Sequence, residues 1–414
     1  MISRFMKRAL LSQMIREWRT NIWLIVELAL VTLAVWAILS VLWFQCRGLF
    51  QHLGFNPEGV YSLTVQSVSK ASPRYLKEYK DSYYEDRNEL IRRLRRNPNV
   101  EYVSLENNFS PYELNYSGDF LIIDGYPDSI SYYGNSRTAE SDIIKLMDIK
   151  SLTGKSSEEL TAILERGEIL ISPNGPFEES GVSVEDLIGK KAHTYDNEDE
   201  TLIIGDVVER VKRSNYEYDE KGVIIKPFGN NPKRWGNIIL KVKPGKDKQF
   251  EQDFKRDKSL SHFRNVYFSE LKSLKSKGEN LHRETEINIR VMIGISFFLF
   301  VTIFLGLLGS FWFRVQQRVS EIAVRKTFGA TDKDLFRRII GEGMILLLAG
   351  LFLASACVWP FIRKITESTG EKWWLFLAIE GITSAAMAIG VIVSLWYPAW
   401  RGMRIEPAIA VKEE

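Results

Sequence analysis

The sequence predicts an α-helical membrane protein with four transmembrane helices and a large mixed α/β extracytoplasmic domain inserted between helices 1 and 2. Three observations predict it. Four apolar runs, Ile22 to Phe44, Val291 to Phe313, Met344 to Ile362 and Trp373 to Tyr397, are each long enough, at about 1.5 Å of helix per residue, to cross a hydrocarbon core of roughly 30 Å. Basic residues mark one side of them. Arg4, Lys7, Arg8, Arg16 and Arg19 stand against Glu17 alone before the first run, and seven Lys or Arg lie between Arg314 and Glu342. Both segments are therefore expected in the cytoplasm, with both ends of the chain on that side. The stretch from Gln45 to Asn288 is the only part large enough for a soluble domain, and long domains translocate whatever their charge.

The expected layout is a cytoplasmic amphipathic N-terminal segment (1–21), span one (22–44), the extracytoplasmic domain (45–288) and span two (289–313). A cytoplasmic helix-turn-helix loop (314–342), span three (343–362), a short outer loop (363–372), span four (373–397) and a cytoplasmic tail (398–414) follow. Span one reads as an uncleaved anchor, because Trp43, Phe44, Gln45 and Cys46 after it offer no small-residue cleavage site. Trp residues at 18, 23, 43, 373, 374, 396 and 400 flank the span ends, where amphipathic indoles anchor a helix at the lipid bilayer interface. The two cysteines, Cys46 and Cys357, make no disulfide framework. With the topology signals set aside, the net charge of +3 carries no message; no basic patch suggests a nucleic-acid partner.

The outer region alternates strand and helix patterns. Val60 to Val68 alternates apolar with polar residues, Asp86 to Arg96 places Leu90, Ile91 and Leu94 on one helical face, and Val100 to Leu105 reads as a strand after Pro98. That order makes a βαβ unit. Further strands are expected at Phe120 to Ile123, Glu168 to Ile171, Leu202 to Val207, Val223 to Ile225 and Ile238 to Val242, with helices at Ser157 to Glu165 and Lys246 to Arg256. Ser69 to Tyr84 reads as a loop or insertion and Asn197 to Glu200 as a hairpin tip. Leu271, Leu274 and Leu281 recur at near-heptad spacing, so span two is expected to start as a helix well above the membrane, with room for a break at Gly278.

The loop from Arg314 to Glu342 joins two spans yet has the pattern of a docking surface. Val315, Val319, Ile322 and Ala323 recur at helical spacing; Arg318, Glu321 and Arg325 fall on the other face, with Glu321 and Arg325 in the favourable i to i+4 order. Gly329 is the residue best able to take positive φ past a helix end, and Thr331 with Asp334 reads as a capping-box variant opening a second helix. Three carboxylates, Glu27, Glu342 and Glu380, fall in or beside spans, where ionisable groups are functional candidates. For Glu27 and Glu342 the plainer account is snorkelling or pairing with Arg16, Arg19 or Arg338. Two readings stand for Glu380: it faces a partner helix, or span four begins later than drawn.

The run Ser320-Glu321-Ile322-Ala323-Val324-Arg325-Lys326-Thr327-Phe328-Gly329-Ala330-Thr331 resembles the motif R-E-I-G-I-R-K-A-L-G-A-S of MacB-like and FtsX-like permeases, the type VII ABC transporters. Tyr397-Pro398-Ala399-Trp400-Arg401-Gly402-Met403-Arg404-Ile405-Glu406-Pro407-Ala408 is similar to the family ending P-A-x-R-A-x-R-x-D-P-A-x-A-L, with Gly402 for Ala and Glu406 for Asp. Leu187 to Lys190 and Ile204 to Val208 resemble pieces of the periplasmic core domain. The resemblance implies a non-catalytic permease in the inner membrane of a bacterium, paired with a second copy or a paralogue and driven by two copies of a separate ABC ATPase. That partner would use ATP and Mg, and this chain would bind no cofactor. Arg318, Glu321, Arg325, Lys326, Gly329, Ala330 and Asp334 would couple to the ATPase, whose closure would reach the outer domain through spans one and two. Family members serve efflux, lipoprotein release or control of cell-wall hydrolases, some with a membrane-fusion or outer-membrane partner; the sequence does not choose among these.

No G-x-x-x-x-G-K-[ST] motif occurs. Gly154-Lys155-Ser156 reproduces the end of a phosphate loop, but Ile149 stands at the first glycine position, and Ser156 or Ser157 reads as a helix cap before Glu158 and Glu159. His52, His193, His262 and His282 are scattered, and no G-x-S-x-G elbow appears. No catalytic or metal residue is expected. Two other classes stay open: a transmembrane sensor or regulator of a partner complex, and a membrane-anchored extracytoplasmic hydrolase.

Overall fold

The computed structural model describes residues 18–113, 117–127, 131–195, 197–218, 221–229, 233–369 and 372–403. The basic residues Arg4, Lys7, Arg8 and Arg16 and the tail from Arg404 lie outside the described residues. In chain order the helices are α1 (Trp18–Cys46), α2 (Tyr83–Arg96), α3 (Ile143–Met147), α4 (Ser157–Glu165), α5 (Gly175–Glu178), α6 (Asp247–Arg256), α7 (Lys258–Ser261), α8 (Leu274–Gln317), α9 (Val319–Thr327), α10 (Asp332–Thr369) and α11 (Trp373–Met403). The strands are β1 (Val60–Ser67), β2 (Val100–Asn107), β3 (Ser117–Ile123), β4 (Ser131–Ala139), β5 (Ile169–Ile171), β6 (Lys191–Thr194), β7 (Asn197–Val207), β8 (Gly222–Pro227), β9 (Asn237–Val242), β10 (His262–Phe263) and β11 (Val266–Ser273). The chain divides into two compact units, one of Met1–Gln45 with Ile287–Glu414 and the other of Cys46–Glu286.

Cys46–Glu286 is built on two sheet systems. The βαβ pattern is present in split form: β1 and β2 are parallel to each other because β9 lies between them, antiparallel to both. Adding β11 on the far side of β1 gives the order β11-β1-β9-β2, the arrangement of a ferredoxin-like β-α-β-β-α-β unit, with α2 and α6 as its helices. Leu90, Ile91 and Leu94 of α2 and Phe250 and Phe254 of α6 pack with Tyr61, Leu63, Leu240 and Val242. Alternation along the strands sends Val60 and Ile239 into a second core with Ile143, Ile144, Leu160 and Ile163. Inserted between β2 and β9, the strands β4-β3-β6-β7-β5-β8 form a ring, since β8 pairs back onto β4. Its closure leaves these six strands without a free edge.

Several expectations shift for identifiable reasons. The helix Ser157–Glu165 starts where predicted, and Ser156 forms a complete capping box with Glu159. Asn197 to Glu200 is not the hairpin tip but part of β7, where Asn197 pairs with Thr194. Ser269 to Ser273 belongs to β11 and not to a helical stalk, so Leu271 is a strand residue and span two starts its helix at Leu274. Gly278 is no break: the helix runs through it, and a Cβ there would stand 3.0 Å from the Tyr112 ring. The outer loop drawn at 363–372 is mostly helix, since α10 continues to Thr369, and α11 extends beyond Tyr397 to Met403 with Pro398 inside it.

In the other unit, α1, α8, α10 and α11 are long and apolar enough to cross a membrane. Leu24 and Leu28 of α1, Leu307 and Phe311 of α8, Leu346 and Leu347 of α10, and Met387, Val391 and Leu395 of α11 share one core. Small residues let backbones approach: a Cβ on Gly350 would lie 2.9 Å from that of Leu28.

The loop after β2 depends on a buried carboxyl. Glu106 is 1% exposed; its Oε2 accepts hydrogen bonds from the backbone N–H of Phe109 at 2.7 Å and of Ser110 at 3.1 Å. Asn108 and Tyr112 in that loop have φ of 62° and 64°, a left-handed backbone uncommon for non-glycine residues. Burial pushes the Glu106 carboxyl up to about 7. Because the folded value is raised, the fold takes up the proton more readily than the unfolded chain. The contribution of Glu106 to stability is therefore fully present below about pH 4.5 and is lost as pH rises through about 7, on the order of 3 kcal/mol in all. Glu106→Gln removes this dependence; hydrogen exchange of residues 106–113 should slow with falling pH in the parent chain, after correction for intrinsic rates, and not in the variant.

Candidate functional site

The helix-turn-helix folds around a glycine stop. Gly329 has φ of 91°, a conformation costly for residues with a Cβ. Its N–H donates to Lys326 O at 3.0 Å and the N–H of Ala330 to Arg325 O at 3.1 Å. These two bonds make a complete Schellman motif, satisfying carbonyls that α9 leaves open. Thr331 then opens α10: its Oγ1 accepts from the Asp334 N–H at 3.3 Å and donates to Asp334 Oδ2 at 2.6 Å. The reach back to the N-cap is thus to the hydroxyl and not the backbone N–H, which distinguishes it from a full capping box.

Ion pairs brace the turn from both sides. Glu321 Oε1 takes two hydrogen bonds from Arg325, at 2.6 and 3.0 Å. Lys326 reaches Asp332 at 2.9 Å, joining the last turn of α9 to the first of α10. At the base, Glu342 accepts from Arg318 at 2.6 Å and pairs with Arg338 at 3.3 Å, one through each oxygen. The Arg338 pairing agrees with the plainer sequence reading, whereas the Arg318 pairing was not anticipated. Arg318 is where α8 gives way to α9, so the amphipathic helix starts at Val319, and Val315 belongs to α8. Val315, Ile322 and Leu335 form the apolar underside. Arg314, Arg318, Arg325, Arg338, Glu321 and Glu342 line a cleft of about 40 Å³ above Leu346 and Leu395, room for only a few waters.

The exposed surface carries a residue that the charge pattern did not single out. Phe328, immediately before Gly329, is 88% exposed, and Val324 one turn earlier is 47% exposed. An aromatic ring held out on a turn that ion pairs immobilise resembles the anchors of protein interfaces more than core packing. Its signal in the sequence was an apolar residue beside the glycine, off the buried stripe.

The other two carboxylates lie apart from this loop. Glu27 on α1 accepts from Ser310 on α8 at 2.8 Å; Arg16 and the side chain of Arg19 lie outside the described residues. Glu380 on α11 accepts from Ser355 on α10, so of its two readings the structure gives the interhelical one.

Gly329→Val should lose the Schellman stop while leaving the spans intact. The expected cost is about 1 to 2 kcal/mol locally, read as faster hydrogen exchange at residues 319–335 with unchanged protection in Cys46–Glu286.

Residues 293–407 match the family model described as FtsX-like permease C-terminal. No curated protein matches the chain. Among solved structures, the chain is similar to the periplasmic region of MacB from Actinobacillus actinomycetemcomitans, at 10% identity and a TM-score of 0.33 over 56% of this chain and 97% of that one. It is also similar to the extracellular domain of the noncanonic ABC-type transporter YknZ from Gram-positive bacteria, at 10% identity and a TM-score of 0.32 over 51% and 100%. The segment matched by the family model spans the helix-turn-helix and the helices around it. Residues 293–407, about a quarter of the chain, are thus similar to the C-terminal domain of FtsX-like permeases.

Proposed function

We propose that the chain is the permease subunit of an ABC transporter of the mechanotransmission type, driven by two copies of a separate cytoplasmic ATPase. The observation that carries this reading is the rigid turn presenting Phe328 at 88% exposure. A partner that fits there offers an apolar pocket for the ring, rimmed by groups complementary to Glu321, Arg325 and Lys326. The ATPase hydrolyses ATP with Mg; this chain contributes no catalytic group. Because Lys326–Asp332 and Arg318–Glu342 tie α9 to α10 and to the end of α8, a push on the turn is delivered to the spans and not absorbed by a loose loop. The proposed setting is the inner membrane of a bacterium, with both termini and the helix-turn-helix in the cytoplasm, Cys46–Glu286 outside, and the permease acting as a dimer with itself or a paralogue.

Phe328→Ala should weaken binding of the cognate ATPase by about tenfold or more, as loss of an interface anchor does. Glu321→Lys breaks a pair worth only about 0.2 to 0.5 kcal/mol to the helix, so a comparable loss of binding would come from the partner. Pull-down of the cognate ATPase checks both; normal binding and coupled activity in both variants would refute the docking role.

The orientation has its own test. In a background with Cys46 and Cys357 replaced, a cysteine at Lys155 should react with an impermeant maleimide from outside and one at Lys333 only after the membrane is opened. Outside labelling at Lys333 would refute the four-span orientation.

A further inference from the structure

The cleft at the base of the helix-turn-helix carries more positive charge than its own ion pairs use. The guanidiniums of Arg314, Arg318, Arg325 and Arg338 line it with the carboxylates of Glu321 and Glu342 alone, so the lining has an excess of two positive charges. Glu321 serves Arg325, and Glu342 serves Arg318 and Arg338. Arg314 stands outside these pairs. Its Nη2 donates to the uncharged Oδ1 of Asn21 at 2.7 Å, and the rest of its five-donor fork meets no protein acceptor among the described residues.

The depth of the cleft is marked independently. The apolar run of α8 ends at Phe313, so Arg314 is the first charge past it. Beside it the Trp312 ring lies 5.6 Å from that of Tyr397 on α11, Tyr397 lies 6.4 Å from Trp400, and the Arg401 guanidinium sits 4.9 Å from the Trp312 ring. Trp312 is two residues before Arg314, and Tyr397 two after the cleft-lining Leu395, about 3 Å along each helix axis. On helices long and apolar enough to cross a membrane, such amphipathic rings sit at headgroup level. Lipid phosphates lie at that level.

Size then selects the group. The cleft of about 40 Å³ holds roughly three waters, and the two unesterified oxygens of a phosphodiester can replace such waters, accepting from the same N–H groups. Guanidinium forks match phosphate oxygens in this way. A whole headgroup or an acyl chain does not fit, so the remainder of the lipid stays outside the cleft. Phe328 and Val324 take no part in the lining, which leaves the exposed ring to a different partner.

We infer that this cleft binds the phosphate of an anionic phospholipid, with Arg314 as its principal donor. The phosphate offsets the excess charge of the lining and ties the base of the helix-turn-helix to the lipid surface. A zwitterionic lipid fits less well, because its ammonium returns the charge that its phosphate offsets. The inference rests on the spans lying in a bilayer and not on the ATPase reading. Its test contains no ATPase, so either can fail alone.

The experiment is native mass spectrometry of the full chain in detergent micelles, titrated with phosphatidylglycerol or phosphatidylcholine. The parent chain should bind phosphatidylglycerol about tenfold more tightly, and Arg314→Gln, which keeps a donor for Asn21, should cut that preference about fivefold. Lys333→Gln, at an exposed residue outside the cleft, should leave it unchanged. Equal binding of the two lipids by the parent chain, or an undiminished preference in Arg314→Gln, would overturn the inference. So would an equal loss in Lys333→Gln, which would make the preference a diffuse surface effect, or displacement of phosphatidylglycerol by equimolar inorganic phosphate, which would make the cleft a site for the free anion. If Arg314→Gln fails to fold, Arg338→Gln replaces it, since Glu342 keeps its pair with Arg318; an undiminished preference there overturns the inference equally.

Discussion

A helix crossing an apolar phase must satisfy its backbone groups within itself, and the membrane part of this chain is organised by where that rule is relaxed. The helices break at Arg318 and between Phe328 and Thr331. At each break other groups take over the hydrogen bonding. The Schellman pair at Gly329 and Ala330 closes α9, the Thr331 hydroxyl opens α10, and Glu342 gathers Arg318 and Arg338 at the base. A turn satisfied in this way holds Phe328 exposed at a fixed place between two helices.

The sequence made some of this legible and hid the rest for physical reasons. Periodicity found the four long helices, and capping chemistry placed the start of α4 and the positive φ at Gly329, because these signals lie within one or two turns of chain. Strand β4 was invisible because its buried positions include Asn135, Ser136 and Arg137, polar residues that a search for apolar alternation passes over. Strand β11 was misread because Lys and Glu on an outer strand look like a charged helix face. Phe328 escaped notice because amphipathic reasoning looks for what is buried, and Phe328 is exposed.

The partners of the carboxylates could not be read from sequence. Glu27 meets Ser310 across 283 positions and Glu380 meets Ser355 across 25, separations that only the packed bundle brings together. What the sequence could do was mark the three residues as unusual, since a carboxylate in an apolar run needs a reason. The structure gives each the same kind of reason.

Each carboxylate links two helices that the chain folds against one another: Glu27 joins α1 to α8, Glu342 joins the start of α9 to α10, and Glu380 joins α10 to α11. Apolar packing alone specifies orientation weakly between helices in lipid, because lipid tails compete for the same contacts. Polar links of this kind are directional and few, so they set which helices move together. Glu342 has two cationic partners and Glu380 has a hydroxyl partner instead. The first link is therefore a pair of ion contacts and the second a hydrogen bond to a neutral hydroxyl. The helix-turn-helix is thus joined to α10 through two cations, whereas the polar link of α11 to α10 runs through the Ser355 hydroxyl.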